Sequence, residues 1–319
     1  MSGEDHGTGH IIQSLAVNAV IACAKFGAAF ATGSGSMLAE AIHSFADCGN
    51  QILLLVGVKQ SKRPADDKHP LGYGRSVYFW SFMVALLLFS GGGVFSVYEG
   101  VHKLRHPEPV EHIGWAIGIL GFSLVLEGWS VFGNIRDLNK RRGASKGFFR
   151  YLQDTKDSDL VVVFGENAAA VLGLMVALLA IGIYQLTGNE KADALGSIAV
   201  GAVLISVSIF LAKEVKSLLV GESADPEIAK TAQELAIDDP RIETVINCIT
   251  MQQGPGEVLV ICKIKCEPNL TARDVSALIN DFEAKLRARR PECRWVYVEP
   301  DLQEWKEPVT PGAATAATG

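Results

Sequence analysis

The chain has 319 residues, 49% of them hydrophobic and 20% charged, with a formal net charge of −6. This acidic balance, with no basic stripe, excludes the usual electrostatic footprint of a nucleic-acid binder. Six scattered cysteines without a Cys-x-x-Cys pair exclude a disulfide framework and suit a reduced compartment.

In chain order, residues 1–10, with His6 and His10, read as a flexible N-terminus. Hydrophobic runs follow near 11–31, 37–58, 77–98, 113–133, 160–184 and 193–212. Each approaches the ~20 residues that span a bilayer as a helix. Gly33-Ser34-Gly35-Ser36 punctuates the first pair, and Thr187-Gly188-Asn189 the last. The first run has no Lys or Arg before it and no small-residue cleavage site, so it reads as a span and not a signal peptide. Lys59, Lys62, Arg63, Lys68 and Arg75 lie between spans two and three. Arg136, Lys140, Arg141, Arg142, Lys146, Arg150 and Lys156 lie between four and five. The opposite loops hold only Lys103, Arg105 and Lys191. By the positive-inside rule both termini are expected in the cytoplasm.

After Glu222 the pattern changes. Residues 225–237 read as an amphipathic helix, 244–251 and 257–266 as strands around the Gly254-Pro255-Gly256 turn, and 271–290 as a helix opened by Thr271 and Asp274. A short strand at 294–298 completes an αββαβ order. The expected architecture is therefore a six-helix transmembrane domain over 11–220, a cytoplasmic α+β domain over 221–303, and a disordered tail over 304–319.

Ionisable residues inside the spans point to function, because hydrocarbon makes them costly. His43 and Asp47 stand four residues apart, so they project from one helix face. An imidazole with a carboxylate suits a divalent transition metal; a structural hydrogen-bonded pair is the alternative. Two ligands are too few, and the further candidates are Asn18, Gln51, Glu127, Glu166 and Asn167. A ligand must be deprotonated to bind metal, so the same groups can couple metal to protons, with His43 first and Glu127 or Glu166 second. Lys25 and Glu127 are each alone in their spans; a buried pair, a snorkelling lysine and a cavity-facing glutamate stay open. Arg75 and Glu222 form a candidate charge interlock between span three and the soluble domain.

The stretches GSGSMLAEAIHSFAD, ADDKHPLGYGR, VYFWSFMVALLLFSGGGVFSVYEGVHKL, ADALGSIAVG and RWVYVEPD follow one another between about residues 11 and 301. Together they resemble the cation diffusion facilitator family of divalent metal-ion/proton antiporters. The resemblance implies six spans, a metallochaperone-like αββαβ domain and a homodimer in the lipid bilayer. It also implies efflux of zinc, or of manganese, iron or cobalt, from the cytoplasm in exchange for protons. The cell (inner or plasma) membrane is the expected setting, the transported ion takes the place of any resident cofactor, and no enzyme chemistry is implied.

Most relatives carry His-x-x-x-Asp on span five, where this chain has Asn167 and Val171. Its half-site is Glu166-Asn167 followed by three alanines, which resembles the branch that includes the zinc transporter nine-like proteins. An oxygen-rich donor set of this kind makes manganese or iron more plausible than in His-rich relatives. Asp66 and His69 match a peripheral loop metal site of some relatives, with Tyr73 in place of a histidine; a Pro-Gly turn is the alternative. The soluble domain has no histidine, so a structural, dimerising role is expected, with Cys262 and Cys266 on one strand face in its core; a thiolate metal site among Cys248, Cys262, Cys266 and Cys293, with Asp301, is the alternative. Two other classes stay in view: a non-transporting metal sensor or scaffold, and a proton-coupled carrier of a non-metal cation.

Overall fold

Apolar helices make up most of the computed structural model, which describes residues 4–301 apart from 108, 111, 143–146, 149, 150, 153, 154, 156 and 157. Side chains are described at residue 15 and from 18 onward, with 137, 141, 158 and 159 as further exceptions. The chain divides into two units, Met1–Val220 and Gly221–Gly319.

The first unit contains α1 (Glu4–Thr32), α2 (Gly35–Ser61), α3 (Ser76–Leu87), α4 (Phe95–Arg105), α5 (Ile113–Arg141), α6 (Ser158–Thr187) and α7 (Lys191–Val220). A π-helical turn, Leu88–Val94, joins α3 to α4. Among the described residues, α2, the continuous Ser76–Arg105 helix, α5, α6 and α7 are long and apolar enough to cross a membrane. The Asn18–Thr32 stretch of α1 is also apolar. Helices outlast the hydrophobic runs because helical hydrogen bonding continues past the apolar window. For the same reason α1 takes in residues 4–10, where composition suggested flexibility; extending a formed helix costs far less than starting one.

Local chemistry explains the breaks. Gly33, with φ +64°, turns the chain after α1, and the Ser34 side chain caps α2 by accepting from the Met37 N–H. The side chains inside the bundle include Tyr78, Met37, Leu88, Leu174 and Leu204, all fully buried. Phe30, Trp115, Trp129 and Leu186 point outward, as a lipid-facing surface requires.

Glycines let α4 and α7 touch backbone to backbone. A Cβ on Gly100 would lie 2.7 Å from the Ala194 carbonyl oxygen and 2.8 Å from the Ile198 nitrogen. One on Gly201 would lie 2.8 Å from the Val97 nitrogen of α4 and 2.8 Å from the Gly93 carbonyl oxygen in the π-helical turn. In lipid, where no hydrophobic drive joins helices, such close packing carries the association. Gly100→Ala therefore forces a backbone shift, and a loss of about 1–3 kcal/mol is expected. The unfolding midpoint in detergent measures it, with Gly182→Ala as the neutral control because a Cβ there meets nothing.

The second unit holds α8 (Pro226–Ile237), β1 (Ile242–Gly254), β2 (Glu257–Cys266), α9 (Ala272–Arg289) and β3 (Cys293–Pro300). The sheet order is β1-β2-β3, with β1/β2 antiparallel and β2/β3 parallel. The parallel step follows from the α9 crossover. Ile228 and Leu235 from α8 and Leu278, Phe282 and Leu286 from α9 pack with Val260, Ile264 and Val296 of the sheet. Asp225 caps α8 ahead of Pro226, and Thr271 with Asp274 forms a full capping box on α9. β2 has the expected bounds, whereas β1 and β3 run longer than their alternating cores suggested, since β1 pairing continues to Gly254 at the turn and β3 pairing to Pro300.

Candidate functional site

A cavity of about 560 Å³ lies among α1, α2, α5 and α6. Helical spacing builds it. Asp47 and Gln51 stand one turn apart on α2, Glu127, Ser130 and Asn134 follow i, i+3, i+7 on α5, and Glu166 and Asn167 sit one turn from Val163 and Ala170 on α6. With Asn18 of α1, the cavity wall gathers six of the sequence candidates: Asn18, Asp47, Gln51, Glu127, Glu166 and Asn167. Ser44, Ser130 and Asn134 join them and were not singled out from sequence. Their signal was available, because each lies one turn from another wall residue or from a candidate already named.

His43 is placed differently. It is fully buried behind the wall, its Nδ1 3.6 Å from Asp47 Oδ1, and neither ring nitrogen has a hydrogen-bond partner. Asp47 Oδ1, Glu127 Oε2, Glu166 Oε1 and Asn134 Nδ2 are also buried without one. Buried polar atoms are nearly always partnered, so this concentration makes the cavity the candidate site. Among the described residues no three His, Cys, Asp or Glu side chains are arranged to hold a metal ion. In this conformation the donors surround a volume and do not close on a point.

Lys25 settles one of the open alternatives. Its ammonium is fully buried and donates to Glu127 Oε1 at 3.1 Å, Glu40 Oε2 at 3.3 Å and Ser44 Oγ at 2.7 Å. It is a buried ion pair and does not snorkel. Glu40 was missed by sequence reading, although it lies one turn before Ser44 within an otherwise apolar stretch.

Asp193, at the start of α7, was also passed over as a functional group. Its carboxylate accepts from Ser34 Oγ and the Gly35 N–H at 2.6 Å each, from the Ser36 N–H at 3.3 Å, and from Ser36 Oγ. Lys103 lies 3.7 Å from the same carboxylate and donates to the Gly33 carbonyl. A carboxylate at the α2 N-terminus satisfies amides that the helix itself cannot.

The remaining candidates are not among the residues that line the cavity. Asp66 accepts from the Lys68 and His69 N–H groups and from the Tyr73 hydroxyl at 2.7 Å. The Tyr73 hydrogen bond holds the Asp66 carboxyl below its ordinary range, and the same contact pushes the Tyr73 phenol up. His69 Nδ1 is 3.3 Å from Asp66, and its ring leans on Tyr73. The carboxylate thus shapes a turn that Gly72 completes at φ +74°. Arg75 is the N-cap of α3 in the first unit, whereas the Glu222 carbonyl, in the second unit, accepts from the Gln252 N–H at 3.0 Å. Cys248 and Cys262 face each other across β1 and β2 with sulfurs 2.8 Å apart, and Lys263 holds Asp301 at 2.6 Å. The side chains of His6 and His10, residues Lys146, Arg150 and Lys156, and the tail 304–319 lie outside the described residues.

Among known families, that of the cation efflux transmembrane domain matches residues 11–220. The chain is 35% identical over 273 residues to the "Proton-coupled zinc antiporter SLC30A9, mitochondrial" of Homo sapiens, covering 85% of this chain and 47% of that protein. It is 30% identical over 254 residues to the "Metal tolerance protein C4" of Arabidopsis thaliana, covering 79% of this chain and 56% of that protein. It is 24% identical over 290 residues to the "Magnetosome protein MamB" of Paramagnetospirillum magneticum, covering 89% and 88%. The chain spans about half the length of the human and plant relatives it matches.

Proposed function

The chain belongs to the cation efflux family, and on that premise we propose that it carries divalent transition-metal ions across a membrane in exchange for protons. The observation that carries this reading is the cavity wall, where Asp47, Glu127, Glu166 and Asn167 from three helices converge amid unpartnered buried oxygens. Zinc is the first candidate for cargo, in keeping with the name of the human relative. Carboxylates and amides also suit manganese or iron, which favour oxygen ligands. His43 serves from behind Asp47, either as a ligand that turns inward or as the group that orients the carboxylate.

Protons compete with metal for these donors, so a ligand that takes up a proton releases its ion. Both termini are assigned to the cytoplasmic side of a cell (inner or plasma) membrane, on the charge asymmetry of the loops. The second unit is assigned a dimerising role, with Ile249, Ile261 and Tyr297 as an exposed apolar row across its three strands.

Asn167 offers the ion a carbonyl oxygen where a charged ligand is absent. Asn167→Leu is expected to slow zinc and manganese flux in proteoliposomes about tenfold, a loss of one ligand worth ~1.4 kcal/mol. Asn167→Asp is expected to preserve flux. If the leucine variant transports normally, Asn167 packs and does not coordinate. A sensor or scaffold would keep the cavity yet move no metal under either gradient.

A further inference from the structure

The cavity ends at one group of charges. Its wall residues lie near the middle of α1 and α2, from the middle of α5 toward its C-terminus, and in the N-terminal half of α6, the last two toward the end of the bundle where the α5–α6 basic loop attaches. In the other direction, Lys25 follows Asn18 by two turns on α1, Glu40 precedes Ser44 by one turn on α2, and Gly173 follows Ala170 by one turn on α6. These meet. The Lys25 ammonium ties Glu40 to Glu127 of α5, and Glu40 Oε1 occupies the space that a Cβ on Gly173 would need. All four helices that line the cavity thus close behind it, around side chains of which Lys25 and Glu40 are fully buried.

We infer that Lys25, Glu40 and Glu127 form an ionic latch that shuts the ion path on the side away from the basic loops. The inference rests on the transport reading above. A buried ion pair adds little net stability compared with an apolar contact, yet it has two well-separated states, made and broken. Glu127 links the latch to the cargo. Its Oε1 holds Lys25, its Oε2 has no partner, and its side chain lines the cavity. A divalent ion drawn to Glu127 competes with the Lys25 ammonium for the same carboxylate, so occupancy of the cavity loosens the closure beyond it. Lys25 and Glu40 are positioning residues in this scheme; neither needs to touch the ion.

The test is water access beyond the latch. Ala177 on α6 is fully buried one turn past Gly173. In Ala177→Cys protein in lipid vesicles, modification of position 177 by a small water-soluble maleimide is read by mass spectrometry. Adding Lys25→Met is expected to raise the labelling rate about tenfold by populating the open state, and Glu40→Gln to raise it in the same direction. A second buried position, Leu211→Cys on α7, reports general loosening and is expected to stay unreactive. Unchanged labelling at 177, or equal rises at 177 and 211, overturns the latch. Zinc flux by the parent chain is measured alongside. If the parent moves zinc and labelling does not respond, the latch alone fails; if the parent moves no zinc, it is the transport reading that fails.

Discussion

Asp47→Ala should lower metal flux about 100-fold or more, and His43→Ala by at least about 10–100-fold, while the protein folds and assembles as before. Asp47 is the carboxylate on the α2 face of the cavity, and its Oδ1 has no hydrogen-bond partner. Loss of a ligand removes both charge and geometry, and loss of a supporting partner alone costs 10–100-fold in affinity on the order seen at metal sites. His43 shares that fate on either account, because it is positioned against Asp47 whether it binds the ion or orients the carboxylate. Elution volume and unfolding midpoint check that the fold is intact. The alanine changes relieve buried unpartnered atoms, so stability should hold or rise slightly. Near-normal flux in both variants would remove Asp47 and His43 from the transport site.

Asp193→Ala should act in the opposite way, on folding before transport. Removing this carboxylate strands two amide N–H groups at the start of α2, takes an acceptor from the Ser34 and Ser36 hydroxyls, and leaves the Lys103 ammonium with only the Gly33 carbonyl and no counter-charge beside it. Breaking a buried charge pair from one side costs about 3–5 kcal/mol. That is a large fraction of a typical folding free energy of ~5–15 kcal/mol. Folded yield and thermal midpoint in detergent are the measurements. Asp193→Asn should fall between, since an amide still accepts but no longer balances Lys103. Parent-like midpoints for the alanine variant would show that the α1–α2 turn holds without this clamp.

The difference between these two aspartates shows how much sequence could reveal. Asp47 was legible because it stands one turn from a histidine in an apolar run, and helical periodicity turns that spacing into a shared face. The spans, the αββαβ order and the capping box at Thr271 and Asp274 were legible for the same kind of reason: each is a local pattern. Asp193 and Glu40 were not, because their partners lie 159 and 15 residues away, at Ser34 and Lys25 respectively. No periodicity within one helix announces a contact with another. His43 shows the converse limit. Sequence places it on the Asp47 face, but which of two neighbours reaches the cavity depends on packing from α1, α5 and α6. The π-helical turn at Leu88–Val94 was hidden for a further reason, since Gly91-Gly92-Gly93 permits that geometry without requiring it.

The central claim is proton-coupled metal movement through the α1/α2/α5/α6 cavity. It is tested most directly by the purified chain in sealed vesicles, with zinc and manganese followed by a metal-sensitive dye and protons by a pH dye. Metal is expected to move faster when a pH gradient opposes it, with protons moving the other way, and to slow when the gradient is collapsed. Folded protein that moves neither metal, or that moves metal at a rate indifferent to the pH gradient, would contradict the account.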